Sequence, residues 1–196
     1  PDLLITDYFA VGGIGAAMIN AGIITLISLA MIYFLKMEMS GHTITAVFLM
    51  FGFSLFGKNI MNIWAILAGV FLYSRYHKTS FHRYLYIGLY GTSLSPIMTQ
   101  IMQIGHLPVY ARGLISLGIS ICFVLPPLST HVHYAHNGYS LYNVGFAAGI
   151  IATVVVSLEK SFGIRIESRL IWSKGNQELF AVLLSLFFGT MIAAAV

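Results

Sequence analysis

The most conspicuous shortage in this sequence is charge, because Asp, Glu, Lys and Arg together make up only 8% of its 196 residues. A soluble domain carries about 25% of these residues, spread over its exterior. Hydrophobic residues make up 58% of the chain. So few charges cannot cover a water-exposed surface, so most of the exterior must face lipid. The composition therefore predicts an all-α integral membrane protein, a polytopic helical bundle.

Acidic residues and cysteine are the next shortages. No Asp or Glu lies between Glu38 and Glu159, and Cys122 is the single cysteine. An intrachain disulfide and a cysteine-based metal site are therefore excluded. The sequence also lacks paired carboxylates, a nucleophile beside a base and a phosphate-binding glycine loop, so an enzyme is not the favoured expectation and no cofactor is expected. The ten Lys and Arg are scattered, which argues against nucleic-acid binding.

Long apolar runs give the candidate membrane spans. A helix needs about 20 apolar residues to cross a hydrocarbon core of about 30 Å. Three runs meet this length, and they are Tyr8 to Leu35, Tyr84 to Met102 and Leu179 to Val196. The run from Ile44 to Ser74 is too long for one span, because it would measure about 46 Å as a single helix. It also contains polar residues near its middle, so we expect a break near Gly57.

A second broken stretch covers residues 109–158. Val109 to Leu125 is apolar, Pro126 and Pro127 come next, and Tyr142 to Leu158 is apolar again. Tandem proline predicts the end of the first half, because proline lacks the N–H that a helix needs. Each half is near the lower limit for crossing a membrane and could either span it or enter and return.

The two halves of the chain resemble each other. The matched positions pair Tyr8, Gly12, Gly15, Gly57 and Asn62 with Tyr84, Gly88, Gly91, Gly138 and Asn143. Each unit is a spanning helix plus a broken or re-entrant helix pair, so an odd number of crossings would invert one unit relative to the other. We expect repeat 1 over residues 1–83, repeat 2 over 84–158, and a polar linker plus a final transmembrane helix over 159–196. The apolar end at Val196 and the start at Pro1 lead us to expect a segment of a longer chain.

Basic residues in the short loops predict the orientation. Lys36 precedes the first broken stretch, and Arg75, Lys78 and Arg83 follow it. Positive loops favour the cytoplasm, so we expect both ends of this stretch there and the stretch to be a hairpin or re-entrant pair. The linker 159–178 carries four basic and three acidic residues, and its side stays open.

Lys58 is the most informative single residue, because a lysine at the bilayer centre costs about 2.5–3.5 kcal/mol on insertion scales. It could be a cation at a permeation site, or part of an interfacial turn from which it extends to the surface. Asn59, Asn62 and Asn143 lie near the breaks. They could hydrogen-bond a solute, with Asn62 and Asn143 facing each other, or cap the half-helices.

Other polar residues accompany the breaks. Tyr142 could line a solute pathway or mark the headgroup interface. Ser93 and Ser95 precede Pro96 and could satisfy a kinked backbone or a passing solute.

The segment THVHYAHNGY carries His131, His133 and His136, and neutral imidazoles are common metal ligands. Neither a helix nor a strand aligns all three on one face, so they converge only in an irregular loop. Metal binding, pH-dependent gating and solvated histidines all remain open.

Two segments carry a family resemblance. FGFSLFGKNIMNIWAILAGVFLYSRYHKTSF and PPLSTHVHYAHNGYSLYNVGFAAGII are similar to an uncharacterised family of bacterial multi-pass membrane proteins, domain of unknown function 1576. The residues that carry it are Gly57, Lys58, Asn59, Asn62, Gly138, Tyr142, Asn143 and Gly145. The resemblance implies a multi-pass protein of a bacterial cell membrane, the inner membrane, and brings no activity.

Together these features favour a transporter or channel for a small polar or anionic solute, with Lys58, Asn62 and Asn143 meeting at the translocation site. The alternative is a membrane-embedded metal protein or enzyme that uses the histidine cluster, and a structural or assembly subunit is a third reading. The expected partners are the lipid bilayer and a small polar solute, and homo-oligomerisation stays open.

Overall fold

The computed structural model describes residues 6–103, 123–132, 134–135, 137, 142–161 and 171–195. Within these ranges the chain is helical, with no strand and one isolated antiparallel bridge between Asp7 and Phe56. The helices are α1 (Tyr8–Phe34), α2 (Gly41–Phe53), α3 (Ile63–Tyr76), α4 (Leu85–Gly91), α5 (Ser95–Gln103), α6 (Asn143–Ser161) and α7 (Gln177–Ala195). Short 3-10 turns at Phe81–Tyr84 and Thr92–Leu94 precede α4 and α5. The expected all-α class is confirmed for these residues.

Three helices, α1, α6 and α7, are long and apolar enough to cross a membrane. No residue of α7 is buried, although this helix is apolar throughout. A helix that is apolar all round and uncovered requires apolar surroundings. These helices indicate a membrane protein. The expected span from Tyr84 to Met102 is divided between α4, the second 3-10 turn and α5.

The first helix is interrupted at Gly13, whereas the apolar run from Tyr8 to Leu35 predicts a continuous span. Gly13 has φ 77° and ψ 169°, a conformation that glycine adopts without the steric penalty of a side chain. The remaining helix, residues 14–34, measures about 31 Å at 1.5 Å per residue and still reaches across a hydrocarbon core. At the start of α1, Asp7 accepts a hydrogen bond of 2.9 Å from the Phe9 backbone N–H.

The break predicted near Gly57 is confirmed. α2 ends at Phe53, α3 begins at Ile63, and Gly57 between them has φ 84°. α2 has 13 residues and α3 has 14, so each helix is about 20 Å long. Neither helix alone is long enough to cross a hydrocarbon core of about 30 Å.

α2 lies beside α4 and runs in the same direction. Near the two starts, Thr43 Oγ1 is 2.6 Å from the Tyr86 hydroxyl. About two turns later, Met50 Sδ is 3.2 Å from Thr92 Oγ1. The first residues of α2 and of α4 therefore lie at the same end of the bundle.

α3 runs opposite to α4 and α5. Near the end of α3, the Tyr73 ring packs edge-on against Tyr84, with centroids 5.3 Å apart. Just before the start of α3, Asn62 Nδ2 donates to Thr99 Oγ1 at 2.9 Å. The end of α3 thus lies beside the start of α4, at the same end of the bundle as the start of α2. The helices α2 and α3 and the turn of residues 54–62 between them form a hairpin.

Residues 123–132 are helical on both sides of Pro126 and Pro127. The expectation that tandem proline stops the helix there is wrong. The fixed φ of proline, near −65°, is itself a helical value, and the lost hydrogen bond falls on the carbonyl four residues earlier. This helix approaches α4 closely at Gly91, where a Cβ would overlap the Leu125 side chain.

A core of apolar side chains joins α3, α4 and α5 to the 123–132 helix and to α6. Its buried members are Ile66, Val70, Leu94, Ile97, Met98, Leu125, Val132, Ala147, Ala148, Ile151 and Val155. Within this core, α6 packs mainly against α4 and the second 3-10 turn. The core also holds α3, one arm of the hairpin, against the rest of the bundle.

Candidate functional site

Lys58 lies in the hairpin turn and has the largest fully buried side chain among the described residues, at 1% exposure. Its Nζ donates to Met50 Sδ at 3.2 Å and lies 5.3 Å from the centroid of the Phe53 ring. A thioether is a weak acceptor, and an aromatic face adds only a cation–π attraction. No oxygen of the described residues accepts a hydrogen bond from Nζ. The side chain points into the bundle. The interfacial alternative required it to extend to the surface, and it does not.

Asn20 in α1 holds the backbone on both sides of Gly57. Its Nδ2 donates to the Ser54 carbonyl at 2.7 Å and to the Lys58 carbonyl at 2.9 Å. Both carbonyls lie outside regular helix, so without this amide they would lack a partner in an apolar environment. Asn20 therefore attaches the hairpin turn to α1.

Asn59 and Asn62 close the other half of the turn. The Asn59 backbone N–H donates to Asn62 Oδ1 at 2.9 Å, and Asn59 Oδ1 accepts from the Met61 and Asn62 backbone N–H groups. Asn62 Nδ2 donates to the Gly57 carbonyl at 3.0 Å and to Thr99 Oγ1. These amides bond to the turn itself and to α5, and the Asn62 side chain does not cap the start of α3.

One face of α4 and α5 presents three hydroxyls towards the hairpin. Thr92, Ser95 and Thr99 follow each other at spacings of three and four residues, which places them on one helix face. Thr92 contacts Met50, and Thr99 contacts Asn62. Ser95 lies between them, is fully buried, and its Oγ has no hydrogen-bond partner among the described residues. A buried hydroxyl without a partner is rare, so Ser95 is the polar group in this face that a ligand could satisfy.

The predicted distortion before Pro96 is present as the 3-10 turn. The Ser95 backbone N–H donates to the Thr92 carbonyl, which Pro96 leaves without its helical donor. The Thr92 hydroxyl donates to the Leu89 carbonyl at 2.6 Å. Ser93 is half-buried and lies about 100° round the helix from Thr92, away from the face of Thr92, Ser95 and Thr99.

Tyr142, just before α6, lies at a different position along the bundle axis from the turn of residues 54–62. The Tyr142 ring packs edge-on against Tyr90, with centroids 5.4 Å apart, whereas Asn62 bonds to Thr99. Nine residues separate Tyr90 from Thr99, or about 13 Å along a helix. Asn143 begins α6 next to Tyr142 and is half-buried. The structure therefore places Lys58, Asn59 and Asn62 in one turn and Ser95 on the helix face whose Thr99 bonds to Asn62, while Tyr142 and Asn143 lie further towards the start of α4.

The Tyr142 hydroxyl is buried and has no hydrogen-bond partner among the described residues. Its ring covers Gly145, where a Cβ would overlap it. Tyr142 thus points into the bundle beside α4, rather than outward as a headgroup anchor would.

The histidine cluster falls largely outside the described residues, because His133 and His136 are not among them. His131 is helical and exposed. In the described part of the chain, no group of three His, Cys, Asp or Glu is placed to hold a metal ion.

Three residues of this site were not recognised in the sequence. They are Asn20, Met50 and Thr99, which contact the turn from α1, α2 and α5. Asn20 could have been found, because it is the only amide side chain within α1. Met50 and Thr99 give no such signal, since methionine and threonine are ordinary packing residues in apolar helices.

The described residues form a helical protein with three helices suited to a membrane and a turn in which the polar side chains of Lys58 and Asn62 are buried. A family model described as "Protein of unknown function (DUF1576)" matches residues 1–161, and the chain belongs to this family. No curated protein and no solved structure matches the chain. The family confirms the resemblance drawn from the sequence, and the matched region includes the whole hairpin and α6.

Proposed function

We propose that this chain is an integral membrane transporter or channel for a small polar or anionic solute, and that the solute passes Lys58. One observation carries the proposal. Lys58 is fully buried, and no described oxygen atom or carboxylate pairs with its amine. A buried cation without a partner is destabilising, and proteins retain such groups in membranes mainly where a solute or ion requires them.

The hairpin supports a re-entrant arrangement. α2 and α3 are each about 20 Å long, and their outer ends both lie beside the start of α4. If α1 crosses the bilayer, the turn at Gly57 lies about 20 Å from the surface at which α2 begins, beside Asp7 and Tyr8 at the start of α1. Irregular backbone at that depth requires internal partners or a water-filled cavity, and Asn20 and Asn62 supply the partners.

The inverted-repeat plan predicts a second hairpin that enters from the opposite side. Tyr142 lies beside Tyr90, so α6 begins beside α4, and it packs against α4 and the second 3-10 turn. Tyr142 and Asn62 then lie about 13 Å apart along α4 and α5, at Tyr90 and at Thr99. We propose that the buried polar face of Thr92, Ser95 and Thr99 lies between them and forms part of the solute pathway.

The test is solute flux into proteoliposomes that contain the purified chain. The probes are chloride, nitrate and urea, and the variant is Lys58→Met, which keeps an unbranched side chain of similar volume and removes the amine. Lys78→Met is the matched control, because Lys78 is an exposed lysine beyond the end of α3. The proposal predicts flux of at least one probe, a loss of tenfold or more in Lys58→Met and no change in Lys78→Met. If no probe enters, or if Lys58→Met conducts as well as the wild type, the proposal is overturned.

A further inference from the structure

The surroundings of Lys58 accommodate an amine better than an isolated ammonium ion. A protonated Nζ has three N–H donors, and the described residues offer it only the Met50 sulfur and the Phe53 ring. An ammonium withdrawn from water without oxygen partners loses most of its hydration free energy. An anion beside Nζ would restore that free energy, because it supplies both the opposite charge and the missing acceptors.

The groups that face Lys58 cannot themselves supply this charge. Met50 and Phe53 of α2 contact the Lys58 amine, and the Asn20 amide of α1 contacts the Lys58 carbonyl. Thr92, in the second 3-10 turn, contacts Met50. None of these side chains is ionisable at ordinary pH.

The ionisable groups on the same elements are engaged elsewhere. The Tyr8 hydroxyl accepts from Asn59, the Tyr86 hydroxyl pairs with Thr43, and the Tyr90 hydroxyl donates to the His42 carbonyl. Asp7 lies at the start of α1 and accepts from the backbone N–H groups of Phe9 and Ser173. No described residue therefore supplies a negative charge beside a protonated Lys58, whichever of these groups carry protons.

We propose that Lys58 binds a proton and the transported anion together, so that the protein carries one proton with each monovalent anion. This proposal deepens the proposed function and rests on it. A proton binds the lone pair of the Lys58 amine, the resulting ammonium pairs with the anion, and both leave together on the other side, which regenerates the neutral amine. No net charge crosses the membrane in this cycle.

Thermodynamic linkage makes the coupling reciprocal. If the anion strengthens proton binding at Nζ, the proton strengthens anion binding by the same factor. The hydroxyl of Ser95 is the additional donor that the anion can use, because it is fully buried without a partner between Thr92 and Thr99. The site therefore fits a small anion with acceptor capacity for an ammonium and a hydroxyl.

The test uses the full chain in proteoliposomes that contain an entrapped pH indicator, with the membrane potential held at zero by potassium and valinomycin. An inward gradient of chloride or nitrate should acidify the interior by one proton per anion taken up. An inward proton gradient alone should drive uptake of the same anion. In Lys58→Arg, where the guanidinium keeps its charge, anion uptake should no longer be accompanied by acidification. Lys78→Arg, an exposed lysine, is the control and should remain coupled.

The outcomes separate this proposal from the proposed function. Uptake of anion by the wild-type protein without acidification, following the membrane potential, overturns proton coupling and leaves the transport function standing. Absence of uptake for every probe overturns the transport function. Because the wild-type measurement alone decides between these outcomes, a Lys58→Arg protein that fails to fold does not affect the test.

Discussion

The amine of Lys58 lies 3.2 Å from the sulfur of Met50, although a lysine ammonium ordinarily pairs with oxygen. This contact places the only charged side chain of the hairpin turn beside a thioether and a phenyl ring. The free energy of unfolding should therefore be lowered by the buried amine.

Replacing Lys58 with methionine should stabilise the protein. The variant removes a buried polar group that lacks a good partner, which destabilises by about 1–3 kcal/mol in mutational series, and it keeps the volume of the side chain. Chemical or thermal unfolding in detergent measures the change, with Lys78→Met expected to stay within about 0.5 kcal/mol of the wild type. A clear loss of stability in Lys58→Met would show that the amine makes a structural bond, contrary to this account.

Replacing Asn20 with alanine should weaken the bundle where the hairpin turn meets α1. The carbonyls of Ser54 and Lys58 lose their donor, and each buried unsatisfied group costs about 1–3 kcal/mol. Thr25→Ala is the matched control, because the Thr25 hydroxyl bonds only to a carbonyl of its own helix. Equal unfolding midpoints for the two variants would contradict the role assigned to Asn20.

Alanine substitutions at two glycines of the hairpin should have opposite signs. Gly57 has φ 84°, so alanine there is strained by about 1–2 kcal/mol and should destabilise. Gly52 is helical with open space around its Cα, so alanine there should be neutral or stabilise by up to about 1 kcal/mol. Unfolding measurements on the two variants check this, and a stable Gly57→Ala protein would contradict the turn geometry.

The two ends of the hairpin should be accessible from the same side of a membrane. Lys36→Cys and Lys78→Cys, each in a Cys122→Ala background, should react with an impermeant maleimide from one side of oriented vesicles. Lys174→Cys should react from the other side, because the neighbouring Ser173 backbone N–H donates to Asp7 at the opposite end of α1. Labelling of Lys36→Cys and Lys78→Cys from opposite sides would mean that the α2–α3 segment crosses the bilayer.

Local sequence signals predicted the interruption at Gly57 and the distortion before Pro96, since glycine and proline restrict the backbone through their own covalent structure. The same reasoning failed at Gly13, where a continuous span was expected, and at Pro126, where the helix continues. Glycine permits a break without requiring one, and proline permits a helical φ, so neither residue type alone decides whether the helix continues.

The site was predictable in its charged and amide residues but not in its partners. Lys58 and Asn62 are conspicuous in an apolar run, so their importance follows from composition. Their contacts with Met50 and Thr99 join residues that are distant in the chain, and only the packing of α2, α3 and α5 brings them together. The expected meeting of Asn62 with Asn143 depends on the same packing, and Asn62 bonds instead to Thr99.

Chemical restoration of the amine at position 58 tests most directly whether the solute pathway uses it. Lys58→Cys in a Cys122→Ala background should lose flux of the transported probe in proteoliposomes. Treatment with 2-bromoethylamine converts the thiol into an aminoethyl thioether, which is nearly the length of lysine, and flux should return. The same thiol treated with an uncharged alkylating reagent of similar size should remain inactive. Full flux in the unmodified Lys58→Cys protein, or equal recovery with the uncharged reagent, would contradict the role of Lys58.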